Sequence, residues 1–266
     1  MLSSSNARLV AARRLTRRSA RRAAGRFLAE VPQAVREALA ADAVVEMFAT
    51  EDALDRHPEL TRGASVISAK DAAALSGTVT PQGIVAVCRI ELTALDDVLA
   101  RAPRLLAVLV DPNEPGNVGT VIRTADAAGA DAVVVCGGAD PYNGKAVRAS
   151  AGSVFHLPLV EAAVDELLPR LHATGIVTLA ATGAADADLD EVDAAGVLRA
   201  ANAWLFGSEP HGLAADLLGS ADHAVRVPLY GRAESLNLAA AAAVCLYASA
   251  RAHRTDTERR AEPNNP

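Results

Sequence analysis

Aromatic residues are scarce in this chain: one Trp, three Tyr and four Phe among 266 residues. A core with so few rings must be built from aliphatic side chains. Hydrophobic residues reach 51%, much of it Ala, so Ala-rich helices packed on Val/Leu strands are expected. Lysine occurs only at Lys70 and Lys145, so the cations are almost all guanidinium groups. The three cysteines, Cys88, Cys136 and Cys245, lie far apart and form no CxxC, no zinc pattern and no disulfide framework. That usage fits a reducing, intracellular compartment. Six scattered histidines make no HxxxH-type pair, and no metal is expected. No run approaches the roughly 18 apolar residues of a membrane-spanning helix. The most apolar stretch, Leu236 to Ala248, is short and contains Asn237. No apolar segment of signal-peptide type marks the N-terminus, although an Arg- and Ser-containing, acid-poor start also describes a mitochondrial transit peptide.

Net charge is −6, which by itself argues against a nucleic-acid partner. Its distribution argues the other way. Between Met1 and Arg36 there are nine Arg and a single acid, Glu30, giving this segment +8 and the remainder −14. Such asymmetry fits a polyanionic partner, though a solvated Arg-rich helix face carries the same signature.

The length suits two modest domains. In the first, Arg8 to Phe27 reads as a basic helix and Val31 to Ala41 as a second helix, with Pro32 in its first turn. Strands are expected at Val44 to Phe48, Ser65 to Ile67 and Gly83 to Arg89. Short helices fit Asp52 to His57 and Ala69 to Leu75, the latter capped by Ser68. A linker follows around Asp96 to Arg104. The pattern then changes to strand, helix, strand: Leu105 to Val110, Val118 to Ala128, Ala132 to Cys136. That order indicates a parallel sheet. Further strands are expected at Val154 to Leu159, Ile176 to Ala180, Ala203 to Phe206 and Ala224 to Val227. Helices are expected at Ala162 to His172, Leu213 to Leu218 and Ser235 to His253. The expected division is thus 1–96, 105–253 and a disordered polar tail at 254–266.

Three segments carry candidate chemistry. The first is Asp111-Pro-Asn-Glu-Pro-Gly-Asn117-Val-Gly119-Thr-Val-Ile-Arg123, at the carboxyl end of an expected strand, where open α/β sheets bind ligands. Gly116 and Gly119 permit tight turns and close backbone approach. An ordinary βα loop with Arg123 on a solvated face remains open here. Neither a GxGxxG fingerprint nor a GK[ST] P-loop is present. The second is Leu205-Phe-Gly207-Ser-Glu209-Pro-His211-Gly212-Leu213, a glycine-flanked turn holding one carboxylate. Glu209 is placed either to orient a hydroxyl or an arginine, or simply to favour a helix dipole. The third is Val227-Pro228-Leu229-Tyr230-Gly231-Arg232-Ala233-Glu234-Ser235-Leu236-Asn237. Ser235 is explained by N-capping. Asn237 is not: an amide inside an apolar run needs a partner.

In order and spacing, these segments resemble the three signature motifs of the SpoU (TrmH-like) RNA ribose methyltransferases. The matches are Asn117-Val-Gly119-Thr-Val-Ile-Arg123, Phe206-Gly207-Ser-Glu209-Pro-His-Gly212, and Val227-Pro228 followed by Ser235-Leu236-Asn237. The stretch Asp140-Pro-Tyr-Asn143-Gly-Lys145-Ala-Val-Arg148-Ala-Ser150-Ala-Gly152 looks like the family's region between motifs one and two. The Arg-rich helix, Phe27-Leu-Ala-Glu30 and Val35-Arg-Glu-Ala-Leu39 are similar to the small substrate-binding domain common in this family. The departure is Val31, where relatives often carry Gly.

The resemblance implies an α/β fold: a C-terminal parallel-sheet domain tied in a deep trefoil knot (the SPOUT fold) and a small N-terminal α/β substrate-binding domain. It implies transfer of a methyl group from S-adenosylmethionine to a ribose 2′-OH, by a cytoplasmic homodimer joined through the knot region. Asn117, Arg123, Glu209, Ser235 and Asn237 are implied as the catalytic set. The backbone around Thr182, Gly207, Val227, Leu229 and Leu236 is implied to hold a bent S-adenosylmethionine. Arg17, Arg18, Arg21, Arg22, Lys145 and Arg148 are candidate RNA contacts. Ribosomal RNA is favoured over transfer RNA, since the layout looks like the large-subunit rRNA enzymes, including those linked to thiostrepton resistance. A non-catalytic RNA-binding protein on the same scaffold is the main alternative. A nucleotide-dependent oxidoreductase is disfavoured by the missing glycine fingerprint.

Overall fold

The structure, a computed structural model, describes residues 1–78, 80–209 and 211–261, with residues 257–261 described by backbone only. The chain begins with α1 (Ala7–Arg14), α2 (Arg18–Ala24), β1 (Arg26–Glu30), α3 (Pro32–Ala40), β2 (Val44–Ala49), α4 (Glu51–Arg56), β3 (Ser65–Val66), α5 (Ala69–Leu75) and β4 (Ile84–Arg89). It continues with α6 (Leu95–Leu99), β5 (Leu105–Val110), α7 (Pro115–Ala128), β6 (Ala132–Cys136), α8 (Gly144–Ser150), β7 (Leu159–Glu161), α9 (Val164–Ala173) and β8 (Val177–Ala181). The last elements are α10 (Leu189–Ala194), β9 (Asn202–Phe206), α11 (Ala215–Ser220), β10 (His223–Val225) and α12 (Leu238–Ala261). Two compact units emerge. One comprises Met1–Glu91, Val118–Arg123 and Asp140–His156; the other comprises Leu92–Asn117, Thr124–Ala139 and Leu157–Pro266.

The first unit is built on a mixed four-stranded sheet of order β1-β4-β2-β3. Its core gathers Leu9, Leu15, Leu28, Phe48, Ile67, Leu75, Val85 and Val87. Ser68 caps α5 as expected, accepting the Asp71 amide, and Pro32 occupies the first turn of α3. The expected basic helix from Arg8 to Phe27 is a different object. It breaks after Arg14, resumes at Arg18 and stops at Gly25, whose φ of +60° is the left-handed cap of α2. Phe27 then enters β1, opposite Cys88 of β4. Val31, at φ +90°, turns the chain from β1 into α3. Segments 118–123 and 140–156, expected in the second domain, pack with this unit. Gly119 is no turn residue but lies inside α7: a Cβ there would overlap the Ala146 carbonyl of α8, so glycine allows the close approach.

The second unit holds a parallel six-stranded sheet of order β10-β8-β9-β5-β6-β7. Its central strands are buried along their whole length, which is why β5 reads Leu-Leu-Ala-Val-Leu-Val without alternation. Helix α12 is fastened to β9 by a buried chain of hydrogen bonds: Trp204 Nε1 donates to Ser249 Oγ at 2.9 Å, and Ser249 Oγ donates to Asn202 Oδ1 at 3.0 Å. Several boundaries differ from the sequence expectation, among them the start of α12, at Leu238 rather than Ser235. The strand expected over Val154 to Leu159 is a 3-10 turn at Ser153–Phe155, and β7 starts only at Leu159. Part of the expected linker is helix α6. Helix α12 continues through 254–261, expected as disordered tail, while 262–266 lie outside the described residues.

All three cysteines are buried free thiols, which burial pushes up to about 12. Among the described residues no helix is long and apolar enough to cross a membrane, and no His/Cys/Asp/Glu group is placed to hold a metal ion.

Candidate active site

Strands β8, β9 and β10 are neighbours whose carboxyl ends open on one side of the sheet. A cleft of about 810 Å³, counting its open mouth, lies there. Its walls include Thr182 beyond β8, Gly207 beyond β9, and Val227, Leu229 and Leu236 beyond β10. These are the five residues expected to hold a cofactor. The position follows from the rule that open α/β sheets bind ligands past the carboxyl ends of their strands. Phe206 and Val225 add apolar wall, and Glu209 and Glu234 add carboxylates.

Gly207 has a steric reason of its own. A Cβ there would overlap the Gly212 carbonyl and the Leu213 amide. The segment folds back on itself, with the Gly212 amide donating to the Ser208 carbonyl at 2.8 Å. This tight loop sets the position of Glu209. Its Oε1 accepts from Asn117 Nδ2 at 2.7 Å, and its Oε2 accepts from the Asn113 amide at 3.2 Å. Partial burial pushes the Glu209 carboxyl up. Hydrogen bonds from Asn117 and from the backbone amides of Glu209, Asn113 and Glu114 outweigh it, and the net shift is downward.

Asn237 has the partners its setting called for. Its Oδ1 accepts the Ala239 amide at 2.9 Å, capping α12, and its Nδ2 donates to Asn117 Oδ1 at 3.3 Å. The capping role expected of Ser235 therefore belongs to Asn237. Ser235 lines the cleft. Asn117, Glu209 and Asn237 thus form one hydrogen-bonded cluster, with Ser235 beside the same cleft. Arg123 lies six residues past Asn117 on α7, exposed, with no side-chain hydrogen bond or ion pair to a described residue.

The candidate RNA contacts divide. Arg17, Arg18, Arg22 and Lys145 are exposed. Arg21 is only 3% exposed and is committed to protein partners: Nε donates to Asp140 Oδ2 at 2.9 Å and Nη1 to the Leu15 carbonyl at 2.9 Å. Arg148 is paired with Glu30. A basic helix in sequence does not show which of its guanidiniums turns inward; here Asp140, 119 residues away, decides it.

Residues 104–247 match the SpoU rRNA Methylase family. The chain belongs to that family. Residues 6–86 match an MRM3-like substrate binding domain, which covers most of the four-stranded unit. This SpoU methylase is 38% identical, over 225 residues, to the 23S rRNA (guanosine(2553)-2′-O)-methyltransferase RlmP of Bacillus subtilis (strain 168), spanning 83% of this chain and 87% of the relative. It superimposes on a crystal structure of an RNA 2′-O ribose methyltransferase with a TM-score of 0.79 at 32% identity, over 95% of this chain and 98% of the other. The SpoU methyltransferase AviRb from Streptomyces viridochromogenes, in complex with the cofactor AdoMet, gives a TM-score of 0.82 at 28% identity, over 94% and 100% of the two chains. The SpoU methylase cleft also has walls that the sequence did not single out, at Ala181, Val225, Leu238 and Ala241. Their signal was positional: two lie at strand carboxyl ends and two in the first turn of the following helix.

Proposed function

We propose that this SpoU methylase transfers a methyl group from S-adenosylmethionine to a ribose 2′-OH of 23S ribosomal RNA. The observation that carries this reading is the cleft at the ends of β8, β9 and β10, lined by all five residues that the family resemblance implies for the cofactor. Apolar walls at Val225, Val227, Leu229 and Leu236 suit an adenine ring, and the Glu209 and Glu234 carboxylates suit a cationic ligand. The substrate follows the relatives, which are named as 23S rRNA 2′-O-methyltransferases.

S-adenosylmethionine supplies an electrophilic methyl on a positively charged sulfur, so no metal is needed. The chain's residues must bind, orient and stabilise. Asn117 holds Glu209, and Asn237 holds both Asn117 and the start of α12. The 2′-OH is a weak nucleophile, and holding it in line contributes several kcal/mol. A guanidinium is a poor base, because arginine side chains do not give up their proton in proteins. The role of Arg123 in this reading is to bind the ribose-phosphate and stabilise the developing oxyanion. Ser235 and the loop from Val227 to Asn237 order the cofactor.

The same reading includes a trefoil knot in the C-terminal half and a homodimer through that region. An exposed apolar stripe on α12 supports the dimer: Val244 is 42% exposed and Tyr247 52%. The same reading places the protein in the cytoplasm. The reading is tested by titrating S-adenosylmethionine into the protein and assaying methyl transfer to 23S rRNA from cells lacking it. Saturable binding and one new 2′-O-methyl ribose are expected; no binding, or a methyl group on a base, would overturn it.

A further inference from the structure

The four-stranded unit contains a second cleft, of about 690 Å³ counting its mouth, formed wholly by residues of that unit. Leu15, Leu28, Leu75 and Tyr142 give it apolar lining. Two ion pairs are set into or behind its walls. Arg148 Nη1 meets Glu30 Oε1, and Arg21 Nη2 meets Asp140 Oδ2 at 2.5 Å. Glu30 also accepts from Ser76 Oγ and, at 3.2 Å, from the Gly77 amide. Charge inside the cleft is therefore already neutralised, and the buried groups are held in place. Thr16 and Lys145 line the mouth of the cleft and are exposed, and Arg17 and Arg18 follow Thr16 directly, also exposed.

We propose that this cleft takes one unstacked nucleobase of single-stranded RNA, with Arg17, Arg18 and Lys145 holding the flanking phosphates. The inference rests on the RNA reading above and deepens it. A phosphate inside the cleft would meet Glu30, and an ion already paired gains little from a new charge. An uncharged ring with a polar edge fits leucine walls and fixed hydrogen-bonding groups. Single-stranded RNA offers such rings, whereas an A-form duplex keeps its bases stacked and presents backbone. The cations at the mouth fit the backbone on either side of an inserted base. The unit thereby distinguishes a loop or bulge from a helix before any methyl transfer takes place.

The test measures binding of labelled RNA homopolymers of A, C, G and U, each about 12 nucleotides long, and of a duplex of the same length, across a salt series. Wild type should bind at least one homopolymer about tenfold more tightly than the duplex. Thr16→Trp, which fills the mouth from an exposed position, should abolish that preference and leave the salt slope unchanged. Lys145→Ala should instead lower the slope by about one phosphate contact and keep the preference. Equal binding of duplex and single strand by wild type, or a preference that survives in Thr16→Trp, overturns the proposal. Methyl transfer to 23S rRNA without single-strand preference would overturn this inference alone. No RNA binding at all would overturn the RNA reading with it.

Discussion

The side-chain amide of Asn117 donates to Glu209 Oε1 at 2.7 Å, joining two motifs 92 residues apart. It makes Asn117 the support of the carboxylate rather than a group aimed at substrate. Asn117→Ala is expected to slow methyl transfer about tenfold, the modest figure for a charge-assisted bond at an exposed carboxylate. The pH profile gives a second readout. A carboxylate with a lowered pKa keeps its contribution above the ordinary carboxylate value and loses it as pH falls through the lowered one. Cofactor affinity should therefore be flat from neutral pH down past the ordinary value of 4.5. In Asn117→Ala the acid limb should move upward. An unchanged limb would show that Asn117 does not govern this carboxyl.

Val31 carries backbone strain. Its φ of +90° and ψ of +137° lie where a β-branched residue is disfavoured and glycine is at home. Val31→Gly should raise stability by about 1 kcal/mol, strain relief of 1–3 kcal/mol outweighing the entropy of an added glycine. The denaturant midpoint measures it; a fall in midpoint would show that packing of the Val31 side chain outweighs the strain.

Gly119→Ala should have the opposite sign to the usual helical substitution, which gains about 1 kcal/mol. The added methyl would overlap the Ala146 backbone carbonyl, which cannot swing aside as a side chain does. A loss of about 1–3 kcal/mol is expected from overpacking. Thermal unfolding separates the cases: a higher midpoint would refute the close approach of α7 and α8.

Arg21 and Arg17 should part company. Arg21→Ala leaves Asp140 buried without its cation and should cost about 3–5 kcal/mol of folding stability. Arg17→Ala should leave stability within about 0.5 kcal/mol and lower the salt dependence of RNA binding by about one contact. Chemical denaturation and a salt titration on both variants test this. The reverse pattern would restore Arg21 to the RNA-binding surface.

What could be read from sequence, and what could not, divides by range. Asn237 was legible because an amide in an apolar run needs a partner, although the partner's identity was not. The parallel sheet was legible from the order strand, helix, strand between Leu105 and Cys136, and the unbroken apolar run Leu105 to Val110 marked its buried strand. Strand β1 was hidden because Arg and Ala before it favour helix; the stop signal was Gly25, passed over in a run of good helix formers. The inward turn of Arg21 and the pairing of Glu30 with Arg148 had no local signal at all, since their partners are more than a hundred residues away.

Arg123 is the residue on which the catalytic reading depends, and one comparison tests it directly. Wild type and Arg123→Ala are titrated with S-adenosylmethionine and then assayed for methyl transfer to 23S rRNA, with ribose methylation mapped by resistance to alkaline cleavage. The account predicts equal cofactor affinity and a loss of transfer of at least about a hundredfold, the scale of removing one oxyanion-stabilising group. Full turnover by Arg123→Ala on the same ribose would contradict it.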